Sequence, residues 1–346
     1  MEKISRRSFL KCAALSAAAA GLAGCGAASS AAASTAASTA ASAGSAASAA
    51  ATSDWPTQNV TVHCASKAGG GTDMHTRYIV NAWDKLIDKN IVVQNYDSSA
   101  VAFSTIKAAK PDGYNLLAMH TGIVCSYLTG GTDVDPINDL AVIACMQDFG
   151  VQAFIAGPDA PYDNFADMLT YAKAHPGELS CAIATNGSTE FLWGEIEQAA
   201  GVDFKMVEAA NETEKLTNVA GGFISLGNCS LNNAISYEAD GKIKVLGTMT
   251  DPTNAAPQYK TIEAQGTKID FNTNIFRFAP AGTDEATQQA ISDSLADVIK
   301  DADYLKGMSD LGATPGYMTL DESREYLQSS YDTMKKVGDT LGINKV

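Results

Sequence analysis

The chain has 346 residues, with 39 acidic against 24 basic side chains and a formal charge of −15. That acidic surplus excludes a nucleic-acid backbone as the natural partner. The length suits two domains and 46% of residues are hydrophobic, which excludes wholesale disorder, although alanines crowded into the first fifty residues inflate the fraction.

Residues 1–24 have the form of an export signal, with a basic start (Lys3, Arg6, Arg7, Lys11), an apolar middle too short to span a bilayer, and small residues ahead of a cysteine. Ser5-Arg6-Arg7-Ser8-Phe9-Leu10-Lys11 follows the twin-arginine pattern; the alternative is an ordinary secretory signal that contains an arginine pair. Both routes lead out of the cytoplasm. Leu22-Ala23-Gly24-Cys25 matches a bacterial lipobox, so Cys25 is expected to become the first residue and to carry lipid, anchoring the protein on the extracytoplasmic face of the cytoplasmic membrane. Residues 25–54 are then a lipidated cysteine and a tether. Its stretch 26–53 contains only Ala, Ser, Thr and Gly and cannot bury enough surface to offset ordering entropy. Cleavage removes four basic side chains and one acidic one, taking the charge from −15 to −18.

From Trp55 onward short apolar runs alternate with helical patterns. Val60, Val62 and Cys64 have the period of a strand. After a glycine-rich turn, Met74, Tyr78, Ile79, Ala82, Trp83, Leu86 and Ile87 recur at helical spacing. Further segments follow at 91–93, 102–109 and 114–119. Strands are expected over 141–144, 151–156, 179–184, 204–207, 224–226, 242–248 and 275–279, and helices over 165–174, 191–200, 212–219 and 285–300. The alternation predicts an α/β protein of two domains, with parallel sheets covered by helices.

Two strand-to-helix turns are the places where chemistry is expected. Ser66, Lys67, Ala68, Gly69, Gly70, Gly71, Thr72 and Asp73 join a strand end to a helix start, where unpaired N–H groups and the helix dipole favour an anion such as a carboxylate. The spacing is neither a P-loop nor GxGxxG. Alone, three glycines are more often a tight turn. Thr185, Asn186, Gly187, Ser188 and Thr189 form a second such turn, rich in hydroxyl and amide donors.

The chain from Trp55 to its end resembles the substrate-binding proteins of tripartite tricarboxylate transporters, also called Bug receptors. The resemblance rests on Ala65 to Asp73 with Arg77, Pro111-Asp112-Gly113-Tyr114-Asn115-Leu116-Leu117, His175-Pro176-Gly177, Gly221-Gly222, Gly241 to Leu246, and Ala279-Pro280-Ala281-Gly282-Thr283. It implies a two-domain, periplasmic-binding-protein-like flytrap of type II. Domain 1 would be 55–156 plus 279–346 and domain 2 would be 157–278, with crossings near Gly157 and Phe278. It also implies that a small carboxylate, a di- or tricarboxylate or related organic acid, is held by backbone amides and water at the two turns. His120 and Thr121 would line the cleft from domain 1 and Asn228 from domain 2. A monomer would close on its ligand and deliver it to the permease subunits of a secondary transporter. Ser98-Ser99-Ala100-Val101, where the family often has Gly-Ala-Gly-Gly, and Tyr259-Lys260-Thr261-Ile262-Glu263 depart from the family pattern.

Within this frame Lys67 either adds positive charge to the ligand or points to solvent. Asp73 beside an anion site would repel the ligand unless it caps amides, the first reading, or meets an ammonium group, the second. Of the four histidines, His63, His75 and His120 are expected near the cleft and His175 is not; no HxH or HExxH spacing exists, and no metal is expected. Cys64, Cys125, Cys145, Cys181 and Cys229 lack CxxC spacing, and folding in a reducing cytosol before export favours free thiols. No nucleophile and base stand at recognisable spacing, so no catalytic residue and no cofactor are expected. The competing functions are a receptor that signals to a membrane partner, an amino-acid receptor, and an extracytoplasmic enzyme.

Overall fold

The computed structural model describes residues 53–209, 211–252, 256–271 and 273–346, all within one compact unit. The export signal, Cys25 and all of the tether but its last two residues lie outside the described residues. Val60–Cys64 (β1) leads through the glycine-rich turn into Gly71–Trp83 (α1), followed by Ile91–Asn95 (β2), Ser99–Lys107 (α2), Asn115–His120 (β3), Gly122–Leu128 (α3) and Leu140–Asp148 (β4). A second group comprises Gln152–Ala156 (β5), Phe165–Ala174 (α4), Ser180–Ile183 (β6), Ser188–Ala200 (α5), Lys205–Glu208 (β7), Glu212–Ala220 (α6), Leu226–Ser230 (β8), Leu231–Ala239 (α7) and Lys244–Thr248 (β9). The chain ends with Asn274–Pro280 (β10), Glu285–Leu295 (α8), Ala302–Leu311 (α9), Pro315–Met318 (β11) and Leu320–Leu341 (α10).

Two sheets result. One is six-stranded, in the order β11-β4-β10-β3-β1-β2, and the other five-stranded, in the order β7-β6-β8-β5-β9. Strands β1, β2 and β3 are parallel, as are β6, β7 and β8, but β10 runs antiparallel to β3 and β4, and β5 antiparallel to β8 and β9. The expectation of parallel sheets therefore gives way to mixed ones. The exceptions are β5 and β10, which carry the chain between sheets, and the edge strand β11, which runs antiparallel to β4.

The expected crossings also move. Because β5 pairs only with β8 and β9, residues 152–156 belong to the second sheet, and the chain leaves the first at 149–151 instead of Gly157. Because β10 lies between β3 and β4, residues 274–278 belong to the first sheet, so the return comes before Asn274 instead of at Phe278. The buried positions of both segments are mostly apolar, with Asn274 and Arg277 the exceptions, and an apolar run does not say which sheet it joins. The strand expected at 224–226 is shifted to β8, and helix α5 starts three residues earlier than expected. Nothing was expected for 301–346, which forms α9, β11 and α10.

Packing follows the side-chain period. Ile79, Val80 and Trp83 of α1 are buried against the first sheet, where the Trp83 ring stacks on Trp55 at 5.8 Å and its indole N–H donates to Ser294 Oγ at 2.9 Å. In the second sheet Phe154 meets Trp193 edge-on at 5.6 Å. Helix α10 touches both groups: Ser323 Oγ accepts from the Cys145 N–H of β4 at 2.8 Å, and Val337 O accepts from Gln198 Nε2 of α5 at 3.3 Å.

Candidate functional site

Parallel strands of both sheets end toward a common gap, the usual place for a ligand in open α/β sheets. Three adjoining cavities occupy it. One of about 540 Å³ lies between residues 69–71 with His75 and residues 211–213 with Ser230. Another, of about 490 Å³, separates residues 98–100, His120 and Gly122 from the turn 184–189. The third, about 160 Å³, adjoins both beside Phe149, Lys215 and Asn228. A larger cavity of about 720 Å³ beyond β9 is bordered by Asp251, Glu263 and Asp270 and by no basic side chain, the wrong sign for an anion.

The first turn contributes backbone. Gly69 takes φ +79°, a left-handed bend that favours glycine. Gly70 is the N-cap residue of α1 and no side chain caps the helix, so the amides of the first helical turn stay available to a ligand. Asp73 is turned inward. Its carboxylate accepts from Gly69 N–H and Asn95 Nδ2, both at 2.8 Å, and from Arg77 Nε at 3.0 Å. Burial pushes its pKa up, yet these partners together hold it below the usual carboxylate range. Asp73 thus fastens the turn from inside, through Gly69 ahead of the helix. Gly69, Gly70 and Gly71 border the 540 Å³ cavity, whereas Ser66, Lys67, Ala68, Thr72 and Asp73 border none of the three; Lys67 is exposed.

In the second turn all of Thr185, Asn186, Gly187, Ser188 and Thr189 border the 490 Å³ cavity. Asn186, at φ 60°, is the only non-glycine residue of positive φ among the described residues, a conformation asparagine tolerates. Its N–H donates to Glu190 Oε2 at 2.7 Å, and the Thr185 N–H to Glu208 Oε2 at 2.7 Å. Thr189 Oγ1 accepts from Ala184 N–H at 2.7 Å, which leaves its own proton to donate. Like α1, α5 has no side-chain cap.

His120 follows β3 and borders two of the cavities. Its Nδ1 accepts from Gly122 N–H at 2.9 Å and burial pulls its pKa down to about 4, so the neutral ring carries its proton on Nε2 as a donor. His75 is likewise held near 4 by burial, and Phe149 packs between the two rings at 4.9 and 5.3 Å. Thr121 is fully buried, its N–H donating to Asn274 O at 3.2 Å, and borders no cavity of the gap. His63 is bonded to Tyr96 Oη at 2.7 Å and Asn115 Oδ1 at 3.0 Å, away from the gap.

Two charged residues of α6 were not anticipated. Lys215 is the only lysine or arginine among the described residues that border the three cavities. It is 6% exposed, and its one hydrogen bond among the described residues runs 3.4 Å to Asn228 Oδ1, while Asn228 Nδ2 donates to Gln152 Oε1 at 3.2 Å. Burial pulls its pKa down to about 8, opposed by Glu212, Cys229, Glu208 and Cys181, so the ammonium form prevails at neutral pH. Glu212, one turn earlier, borders all three cavities. The signal for Lys215 was its place on the apolar stripe of α6, four residues before Val219.

The gap thus offers backbone amides, a hydroxyl, an imidazole N–H and one ammonium, all suited to holding a carboxylate. All five cysteines among the described residues are buried and free, and no group of three or more metal-ligating side chains occurs among the described residues.

Comparison with known proteins agrees with this arrangement. The sequence profile of the tripartite tricarboxylate transporter family receptors, TctC, matches residues 76–343, and the twin-arginine translocation signal profile matches residues 3–23. The "UPF0065 protein in gbd 5'region" of Cupriavidus necator is 25% identical over 298 residues, spanning 84% of this chain and 90% of that protein. The fold is shared with an R. palustris protein solved with adipate (TM-score 0.69, 20% identity, 84% of this chain and 99% of that one). It is shared also with MatC from Rhodopseudomonas palustris with bound malate (TM-score 0.65, 20% identity, 82% and 99%). Exported and built on the fold of solute-binding proteins, this chain belongs to the tripartite tricarboxylate transporter receptor family.

Proposed function

We propose that this receptor captures a small carboxylate in the gap between its two sheets, closes around it, and presents it to the permease subunits of its transporter. The observation that carries the reading is the convergence on one gap of two uncapped helix N-termini, the His120 Nε2–H and the Lys215 ammonium. On a mature chain of net charge −18, these are the local donors that overturn the surface potential. Malate and adipate in the two structural neighbours belong to the same ligand class. The ligand leaves unchanged, and the receptor acts as a monomer.

Calorimetry on the exported chain with di- and tricarboxylates, aromatic acids and amino acids is expected to give saturable binding; no binder across that panel ends the receptor reading. Gly70→Val sharpens the test, because a Cβ there meets Ser66 Oγ at 2.4 Å and Lys67 O at 3.1 Å beside the uncapped amides. A tenfold or greater loss of affinity is expected with little change in melting temperature, since the Ser66 hydroxyl can rotate away. Unaltered affinity in that variant removes the first turn from the site.

The anchor is part of the same proposal. Leu22-Ala23-Gly24-Cys25 supplies the lipidation site, and two or more acyl chains hold a protein stably at a membrane. Cys25→Ser is expected to move the protein from the membrane fraction to the soluble one; retention at the membrane would exclude the lipid.

A further inference from the structure

Glu212 stands where a carboxylate receptor should not place a negative charge. It borders all three cavities, so a ligand that fills any of them lies beside it. Its Oε1 is fully engaged, accepting from Ser230 N–H at 2.9 Å, Ser230 Oγ at 2.6 Å and Asn233 Nδ2 at 2.8 Å. No hydrogen bond among the described residues uses Oε2. Lys215 stands one helical turn on, nine-tenths buried, with a single long contact to Asn228. The two residues influence each other electrostatically but share no hydrogen bond or ion pair among the described residues, so each keeps its charge for a third party.

Other carboxylates near the gap are already used within the protein. Glu190 and Glu208 hold the second turn together, and Asp73 holds the first. Asp310, on the rim of one cavity, is paired with Lys306 at 2.6 Å, and Glu212 is the one carboxylate among the described residues that borders all three cavities. A ligand with only negative charge would meet it at close range, where like charges oppose binding strongly in a site of low dielectric. A ligand with a protonated amine beside its carboxylate meets a complementary pair instead.

We propose that the ligand is a zwitterion of the amino-acid class, its carboxylate on Lys215 and the α5 N-terminus and its ammonium on Glu212 Oε2. This rests on the reading of the gap as the carboxylate site. Charge complementarity of this kind supplies selectivity, since the wrong ligand leaves one buried charge unanswered.

Matched acids that differ only by an α-amino group test it: succinate against aspartate, glutarate against glutamate, propionate against alanine, titrated calorimetrically into the full exported chain. The amino member of the best-binding pair is expected to bind at least tenfold tighter. Glu212→Gln keeps a carbonyl oxygen for Ser230 and Asn233, so the fold should hold, and it is expected to bring the two members of the pair to within about threefold. Equal or tighter binding of the acid without the amine overturns the proposal and leaves the carboxylate site standing. A preference that survives in E212Q also overturns it. Absence of binding by every member of every pair, and by the wider carboxylate panel, overturns the carboxylate site itself. Should E212Q not fold, the paired titrations on the unaltered protein decide alone.

Discussion

Lowering the pH from 7 to 4 will cost the folded protein about 3 kcal/mol through His75 alone. His75 is 2% exposed on the inner side of α1, and burial holds its pKa at about 4 against 6.5 for the free side chain. His120, once it too takes up a proton, and the Arg277 guanidinium deepen the depression, and a hydrogen bond with the Phe149 backbone works against it. Between those two values the unfolded chain binds a proton that the folded chain refuses. Stability therefore falls as pH drops from 6.5 to 4 and levels off below 4, where the folded state protonates too. His120 acts with the same sign in the same window, softened by its position on the open cavities. Asp73 acts elsewhere, because its lowered pKa keeps its contribution intact until the pH falls below about 3.8, the usual carboxylate value. Urea denaturation at pH 7, 5.5 and 4 reads the slope directly. His75→Gln should be less stable than the parent at pH 7 yet flatter between 6.5 and 4; a variant that keeps the parental slope refutes the assignment.

What could be read from the sequence was what is local. Helix α4 was placed to the residue because Phe165, Met168, Leu169 and Ala172 keep the period and Asn164 caps it, accepting from Asp167 N–H at 2.9 Å. The two turns stood out because glycines and hydroxyls at strand-to-helix junctions have little other local use. Helix α10 escaped because its stripe of Leu320, Leu327, Met334 and Val337 is diluted by Ser323 and Gly338, both buried. Those two positions are small because neighbours press on them: Ser323 bonds to β4, and a Cβ on Gly338 would meet Asn344 at 2.0 Å. Strand β8 was misplaced because Gly227 and Asn228 have poor strand propensity, which burial between β6 and β5 overrides. Lys67 drew attention because it lies inside the glycine-rich turn. Lys215 did not, because a lysine on a helix reads as exposed until the helix face is known to meet a gap between two sheets.

Replacing Lys215 by methionine will weaken carboxylate binding by about 10- to 100-fold and, against that loss, stabilise the unliganded protein by about 1–3 kcal/mol at pH 7. The two effects have one cause. A pKa drawn from 10.5 to about 8 means that the ammonium is less comfortable in the gap than in water by roughly 3 kcal/mol, burial outweighing Glu212 and Glu208. Methionine fills a similar stem volume with no charge to desolvate, and the bond it gives up is a 3.4 Å contact to an asparagine that keeps its partner Gln152. The ligand, in contrast, loses a charge-assisted bond made where solvent cannot replace it. The proton linkage separates this from simple repacking. In the parent protein the folded state gives up the Lys215 proton first, so stability rises as pH increases from 8 to 10.5, while affinity falls over the region beginning near 8. Both slopes should vanish in the variant. Urea melts and calorimetry at pH 7, 8, 9 and 10 measure them, and a variant that melts lower while binding as tightly as the parent would refute the role of Lys215. On the proposed reading of the gap, a buried cation with one long hydrogen bond among the described residues is kept at the expense of stability because an acidic exported protein needs a fixed positive charge for its ligand.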